Sequence, residues 1–233
     1  MIIINTPHNP TGTIMTSEDL MMLDILTKDT NIIIISDEVY EHIVFDDLKF
    51  KNILQIENSL KERTLIVNGV SKAYAMTGWR LGYAGGPKKL INQINKIQSQ
   101  STTHTSSISQ AAAIEALNNS EEFINKNKKV YQERRDIVFS KLKNFDGFDV
   151  FLPQGSFYIY VCCNNLMNKK KEDGTLINND IEFSDYLLDE AGVAVVPGEA
   201  FGCSNYFRTS FATSKSNLEK GCDKIIEASK KLK

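Results

Sequence analysis

The sequence predicts an α/β protein: a mostly parallel sheet with flanking helices, followed by a smaller α+β domain. Three observations predict it. Short continuous apolar runs, Ile2–Ile4 and Ile32–Ile35, are separated by a helical pattern, as buried parallel strands are. Each strand runs into a polar cluster: Asn5 to Gly12 after the first, Ser36-Asp-Glu-Val-Tyr40 after the second, Asn68-Gly-Val-Ser-Lys72 after a third at Thr64–Val67. Beyond about residue 125 the pattern changes, so residues 1–124 read as part of a large domain and residues 125–233 as a small C-terminal domain.

The elements follow in order. Pro7 and Pro10 forbid continuation of the first strand and make Thr6–Gly12 a loop at its carboxyl end. Thr16–Lys28 reads as a helix, with Thr16 and Ser17 as cap candidates, Glu18 and Asp19 in the first turn, and Leu20, Leu23 and Leu26 on one face. Met21 and Met22 belong to its packing. Arg80–Ala84 is a fourth strand candidate, and Pro87 opens a helix carrying Leu90, Ile94 and Ile97. An alanine-rich helix at Ser107–Leu117 precedes a long amphipathic one from Ser120, marked by Ile124, Tyr131, Val138, Leu142 and Phe145. In the second domain, Ser156–Cys162, Val193–Val196 and Tyr206–Ser210 read as strands and Ile181–Ala191 as a helix. A final helix is expected to start at Ser216 with a Ser216-Asn-Leu-Glu219 capping box, burying Leu218, Cys222, Ile225 and Leu232.

Composition narrows the function. The 233 residues carry 27 Lys+Arg against 29 Asp+Glu, a net charge of −2, so no polybasic footprint for nucleic acid or an anionic membrane is present. The apolar runs are far shorter than the roughly 18–20 residues that span a bilayer, and the N-terminus lacks the basic start of a signal peptide. A cytoplasmic protein is expected. Cys162, Cys163, Cys203 and Cys222 lack metal-site spacing and read as reduced structural thiols, and His8, His42 and His104 show no ligand spacing.

The stretch that carries chemistry is Gly69-Val-Ser-Lys-Ala-Tyr-Ala-Met-Thr-Gly-Trp-Arg-Leu-Gly82. A lysine after a buried strand, with an arginine eight residues on, suits a Schiff-base lysine beside an anion site, because desolvation and a nearby cation both favour the neutral, nucleophilic amine. Gly-Val-Ser-Lys followed by Thr-Gly-Trp-Arg-Leu-Gly resembles the cofactor-lysine signature of the class I aminotransferases, fold-type I enzymes dependent on pyridoxal 5′-phosphate (PLP). Asn9-Pro-Thr-Gly12, Asp37-Glu-Val-Tyr40 and Tyr206-Phe-Arg-Thr-Ser-Phe-Ala212 resemble further family motifs, in the family's order and at compatible spacing. The wording is most similar to the bacterial aspartate and prephenate aminotransferase branch.

The resemblance implies PLP as cofactor, and a PLP-transferase large domain for the first part of the chain. It implies that Lys72 forms the Schiff base and moves the proton between substrate Cα and cofactor C4′. Asp37 would hold the pyridine nitrogen protonated, Asn9 and Tyr40 would donate to the phenolic oxygen, and Arg80 would hold the phosphate. Arg208 would clamp the substrate α-carboxylate through its planar fork, with Asn9 beside it. The implied reaction is transamination between an amino acid, aspartate, and a 2-oxo acid, 2-oxoglutarate, in a homodimer.

Two departures accompany the resemblance. Many relatives place a phosphate-binding serine three residues before the lysine, where this chain has Gly69. Relatives also carry an N-terminal part ahead of the first strand, with a helix N-terminus for the phosphate and a ring that stacks on the pyridine. The strand at Met1 is therefore expected to be a truncation point inside the large domain; a split gene with a separate N-terminal polypeptide, a decaying gene and a misassigned start each produce such a chain. The alternatives to transamination are a catalytically silent fragment and a PLP-dependent carbon–sulfur lyase. A nicotinamide dehydrogenase is disfavoured, since Gly82-Tyr-Ala-Gly-Gly86 is not the spaced glycine fingerprint.

Overall fold

A computed structural model describes residues 1–56 and 58–233. Two compact units form: Met1–His8 with Thr13–Lys129, and Asn9–Gly12 with Val130–Lys233. The division runs through one long helix, five residues after the boundary read at 124/125, and the Asn9–Gly12 turn belongs to the second unit.

In the first unit, β1 (Ile2–Asn5), β2 (Ile34–Asp37), β3 (Thr64–Gly69) and β4 (Gly82–Gly85) pair in that order. The first three are parallel and β4 is antiparallel to β3. Helix α1 (Ser17–Thr27) lies between β1 and β2 in the chain and α2 (Ile53–Ile56) between β2 and β3. Thr16 caps α1: its hydroxyl accepts from Asp19 N at 3.1 Å while the Asp19 carboxylate accepts from Thr16 N at 2.8 Å. Leu20 and Ile34 are buried together with Ile53 and Leu60, and Ile4, Met15 and Leu23 pack against them.

Three expectations for α1 fail together. Leu26 is 70% exposed, and Met21 and Met22 also face out. The buried stripe runs through Leu20 and Thr27; at 3.6 residues per turn Leu26 lies roughly 120° around the helix from Leu20. The fourth strand starts two residues later than expected because Arg80 adopts a left-handed conformation, φ 53° and ψ 48°, after a short 3₁₀ turn at Thr77–Trp79. Helix α3 (Lys88–Gln100) follows, then α4 (Ser107–Asn119) and α5 (Glu121–Lys143). Ile97 on α3 is exposed rather than packed. Among the described residues no helix is long and apolar enough to cross a membrane.

The second unit holds an antiparallel sheet of β5 (Asp149–Val150), β6 (Tyr158–Cys162), β7 (Val196–Pro197) and β8 (Tyr206–Ser210), in the order β5-β6-β8-β7. Helices α6 (Asp180–Ala191) and α7 (Lys215–Lys230) complete it. Phe148 packs edge-on against Phe207 at 5.4 Å between ring centroids, and Phe183 meets Phe207 at 5.8 Å. β7 is shorter than the Val193–Val196 strand expected, because Val193 N donates to Leu187 O and closes the end of α6. The cap of α7 is Ser214, not Ser216: Ser214 holds an extended backbone and its hydroxyl accepts from Asn217 N at 3.2 Å, which places Ser216 inside the first turn. Leu218, Cys222 and Ile225 are buried as expected, and Leu232 is buried just beyond the helix. The four cysteines are free thiols; Cys163 and Cys222 are buried, whereas Cys203 is exposed.

Two local features fix the loops that follow β1 and β2. Gly12 has φ +71°, and its carbonyl accepts from Gln154 N at 2.9 Å and Gly155 N at 2.8 Å. A Cβ there would stand 2.4 Å from Pro153 Cβ. Gly12→Ala is therefore expected to destabilise the protein by about 2 kcal/mol or more, from left-handed strain plus the clash, as read by urea melts. A change within experimental error would show that the turn detaches without cost.

Glu38 is 1% exposed. Its carboxyl group accepts from Ser36 Oγ at 2.7 Å and from Asn52 Nδ2, tying β2 to the segment before α2. Burial dominates and pushes its pKa up to about 7 from 4.5, outweighing the hydrogen bonds that favour the carboxylate. With the folded pKa raised, the contribution of this group to stability is full below pH 4.5 and is lost as pH rises through about 7. Glu38→Gln should gain stability relative to the parent chain between those values, up to roughly 3 kcal/mol. Urea melts of both chains at pH 5 and pH 8 measure the difference; a gap that does not widen with pH refutes the buried-acid assignment.

Candidate active site

Parallel pairing brings polar strand ends to one edge of the first unit. Asn5 and Asp37 are the last register pair of β1 and β2, and Asp37 lies opposite Val67 on β3. The Asp37 carbonyl accepts from Thr6 N at 3.1 Å and Asn5 Nδ2 at 3.1 Å, while its carboxylate Oδ1 accepts from Val39 N at 3.3 Å. Asp37 is half-buried. Tyr40 follows in a turn and is buried.

Lys72 stands three residues beyond β3. Val70 and Ala73 on either side of it are buried and pin the loop, leaving Lys72 half-buried. Its Nζ lies 5.7 Å from the centroid of the Tyr40 ring, so the structure brings Tyr40 and Lys72 together. Arg80 is exposed, and one guanidinium nitrogen, Nη1, donates to Thr77 O at 3.0 Å. Gly69 closes β3 opposite Gly82. A Cβ at Gly69 would meet Leu81 O at 3.2 Å, a close approach between β3 and the residue before β4.

In the second unit Arg208, on β8, donates from Nη1 to Asn9 Oδ1 at 2.8 Å. Its guanidinium carbon lies 4.1 Å from the Tyr158 ring centroid and 4.9 Å from that of Phe201. The two rings and the amide hold the fork in one plane and leave it further N–H donors, as recognition of a carboxylate requires.

A chain of contacts in this unit supports Asn9. Arg135 on α5 is 2% exposed; its Nη1 donates to Pro153 O at 3.1 Å and its other nitrogens pair with Asp136 at 2.8 Å. Pro153 precedes the two N–H groups that hold the Gly12 carbonyl. Sequence reasoning missed Arg135 because Glu133-Arg-Arg-Asp136 has the charge pattern of a solvated helix face. It also gave no role to Glu38, or to Glu41 and His42 beside Tyr40. The signal available was their position directly after a buried strand.

The donor set of the first unit fits PLP in chemical kind: a carboxylate for a pyridinium N–H, a phenol for a phenolic oxygen, a lysine for an aldehyde, an arginine for a phosphate.

Comparison with known proteins agrees with this chemistry. The family model described as aminotransferase class I and II matches residues 1–225. The chain is 49% identical over 225 residues to a probable aspartate/prephenate aminotransferase of Rickettsia conorii, covering 96% of this chain and 56% of that protein. It is 44% identical over 232 residues to an aspartate aminotransferase of Rhizobium meliloti, covering 99% and 57%. The crystal structure of the Rhizobium meliloti aspartate aminotransferase superposes with a TM-score of 0.95 at 44% identity, covering 99% of this chain and 58% of that one. A Thermus thermophilus aspartate aminotransferase with maleate superposes with a TM-score of 0.86 at 35% identity, covering 97% and 56%. The chain thus spans a little over half the length of these relatives. By sequence and by fold it belongs to the class I and II aminotransferases, a family of PLP-dependent enzymes.

Proposed function

We propose that this chain serves amino-group transfer from aspartate to a 2-oxo acid, 2-oxoglutarate, with PLP as cofactor. The observation that carries the reading is the placement of Asp37 at the carboxyl end of β2, with Tyr40 and Lys72 just beyond the carboxyl ends of β2 and its parallel neighbour β3. Bound PLP supplies the electron sink for negative charge developing at a substrate Cα. Asp37 would keep the pyridine nitrogen protonated; its carbonyl, bonded to both Asn5 and Thr6, fixes its backbone, and Val39 N donates to its carboxylate. By the resemblance, Tyr40 and Asn9 would donate to the phenolic oxygen, and Arg80 would hold the phosphate.

Lys72 would be the nucleophile toward the aldehyde and the general base that moves the proton between Cα and C4′. The flexible lysine stem allows both tasks from one anchoring point. Arg208 grips the α-carboxylate with donors that Asn9 leaves available, and the Tyr158 and Phe201 rings keep water from one side of the fork. By the same resemblance the working assembly is a homodimer in the cytoplasm.

Borohydride reduction of the chain mixed with PLP is expected to fix one label on Lys72, found by peptide mapping, and Lys72→Ala to abolish it. A labelled parent chain with the label elsewhere would defeat the assignment. Product analysis separates transfer from lyase chemistry, since a lyase forms pyruvate without an acceptor 2-oxo acid. Arg208→Lys is expected to raise KM for the amino acid by about 10²-fold while leaving Lys72 labelling within twofold, because a point charge replaces a bidentate fork. Equal KM values would remove Arg208 from the carboxylate site.

A further inference from the structure

The turn after β2 presents three consecutive side chains to the loop that carries Lys72. Tyr40 lies against Lys72 itself, with Nζ 5.7 Å from its ring centroid. Glu41 Oε1 accepts a short hydrogen bond from Asn68 Nδ2, and Asn68 Oδ1 accepts from Gly69 N at 2.7 Å. His42 Nε2 and Tyr74 Oη share a hydrogen bond of 3.3 Å, and their rings meet edge-on at 5.8 Å. Residues 40, 41 and 42 thus reach the middle, the entry and the exit of one loop.

We propose that Glu41 and His42 are positioning residues for Lys72, holding the Asn68–Tyr74 loop at its two ends while Tyr40 contacts the lysine between them. The inference rests on the assignment of Lys72 as the PLP lysine.

The turn is a firm base for such a grip. Tyr40, Ile43, Val44 and Phe45 are all buried, Glu41 N donates to Glu38 O at 2.9 Å, and Ile43 N donates to Tyr40 O at 2.8 Å. Within the loop, Val70 and Ala73 are buried, and Ala75 N donates to Lys72 O at 3.2 Å. A lysine on four rotatable bonds finds its target only if its Cα is fixed, since displacements near 1 Å cost about 10²-fold in a reaction that depends on alignment. The Glu41 carboxylate also acts on the neighbouring phenols. After burial, its charge is the next influence that pushes Tyr74 up and Tyr83 up to about 12, which keeps both phenols protonated; Tyr83 lies opposite Asn68 on β4. His42 is 3.6 Å from the Glu41 carboxylate, so the two ends of the grip touch each other.

The test uses the full chain, with Glu41→Ala, Glu41→Gln, His42→Ala and Tyr74→Phe. Amide hydrogen exchange without cofactor reads the loop, and PLP labelling of Lys72 with borohydride reads the lysine. Glu41→Ala and His42→Ala should each speed exchange at residues 69–75 by about tenfold, leaving the amides of β1, β2 and Thr64–Val67 unchanged, and slow Lys72 labelling by about tenfold. Glu41→Gln retains an acceptor for Asn68 and should restore parental values, which a merely structural loss would not do. Tyr74→Phe should reproduce His42→Ala, and the two together should cost no more than either alone.

Parental exchange at residues 69–75 in both alanine variants overturns the proposal, and so does acceleration spread evenly through the first unit, which would mark a general loss of stability. If the parent chain takes no label on Lys72, the PLP reading falls, while the exchange data still decide whether Glu41 and His42 hold the loop.

Discussion

Parallel pairing of β1, β2 and β3 is the constraint from which the site in the first unit follows. Parallel strands end at the same edge of the sheet, and their backbone hydrogen bonds run across from one strand to the next. Asp37 is therefore placed by main-chain bonding before its side chain does anything: its carbonyl receives Thr6 N and Asn5 Nδ2, and the next residue donates from Glu38 N to Val67 O at 2.9 Å. That last bond carries the ladder one residue past the end of β2. The turn bearing Tyr40, Glu41 and His42 thus starts from a fixed point on β3, the strand that leads to Lys72.

The second unit reaches comparable precision by another route. Its sheet is antiparallel, and Arg208 sits opposite both Tyr160 and Val196 on neighbouring strands. Asn9 lies in a turn rather than a strand, so it needs tethers. Arg135 supplies the first through Pro153, the Gln154 and Gly155 amides supply the next at Gly12, and Arg208 completes the series at Asn9. A buried guanidinium suits this work, because its five donors can satisfy a carbonyl and a carboxylate together.

Much of this was legible in the sequence, and the failures have physical causes. Apolar runs ending in polar clusters located the strands of the first sheet and the loops with Asn9, Asp37 and Lys72, because a parallel strand buried on both faces leaves an unbroken hydrophobic run. Helical stripes were less secure: a leucine at the right spacing for one turn, such as Leu26, can fall outside the buried face when the stripe is followed through Thr27. The α7 cap was displaced by two residues because Ser214 and Ser216 both offer a hydroxyl, and only backbone geometry selects between them. Arg135 and Glu38 escaped notice for a different reason. Charged side chains are read as solvated until burial shows otherwise.

The run from Asp37 to His42 shows how one short segment separates opposed electrostatic demands. On a strand, successive side chains point to opposite faces, and the burial of β2 alternates accordingly, with Ser36 buried and Asp37 less so. Glu38 continues this alternation. It is directed with Ser36 into the protein, where burial favours its proton, while Asp37 remains on the partly exposed side. Two adjacent carboxylates of one exposure would repel each other and draw the same proton. Their divergence sends the two acids to opposite faces of the strand. The chain then turns, and Glu41, the next acid, is spent on Asn68. Three acids within five residues thus acquire three environments, set by strand alternation, by burial and by a turn.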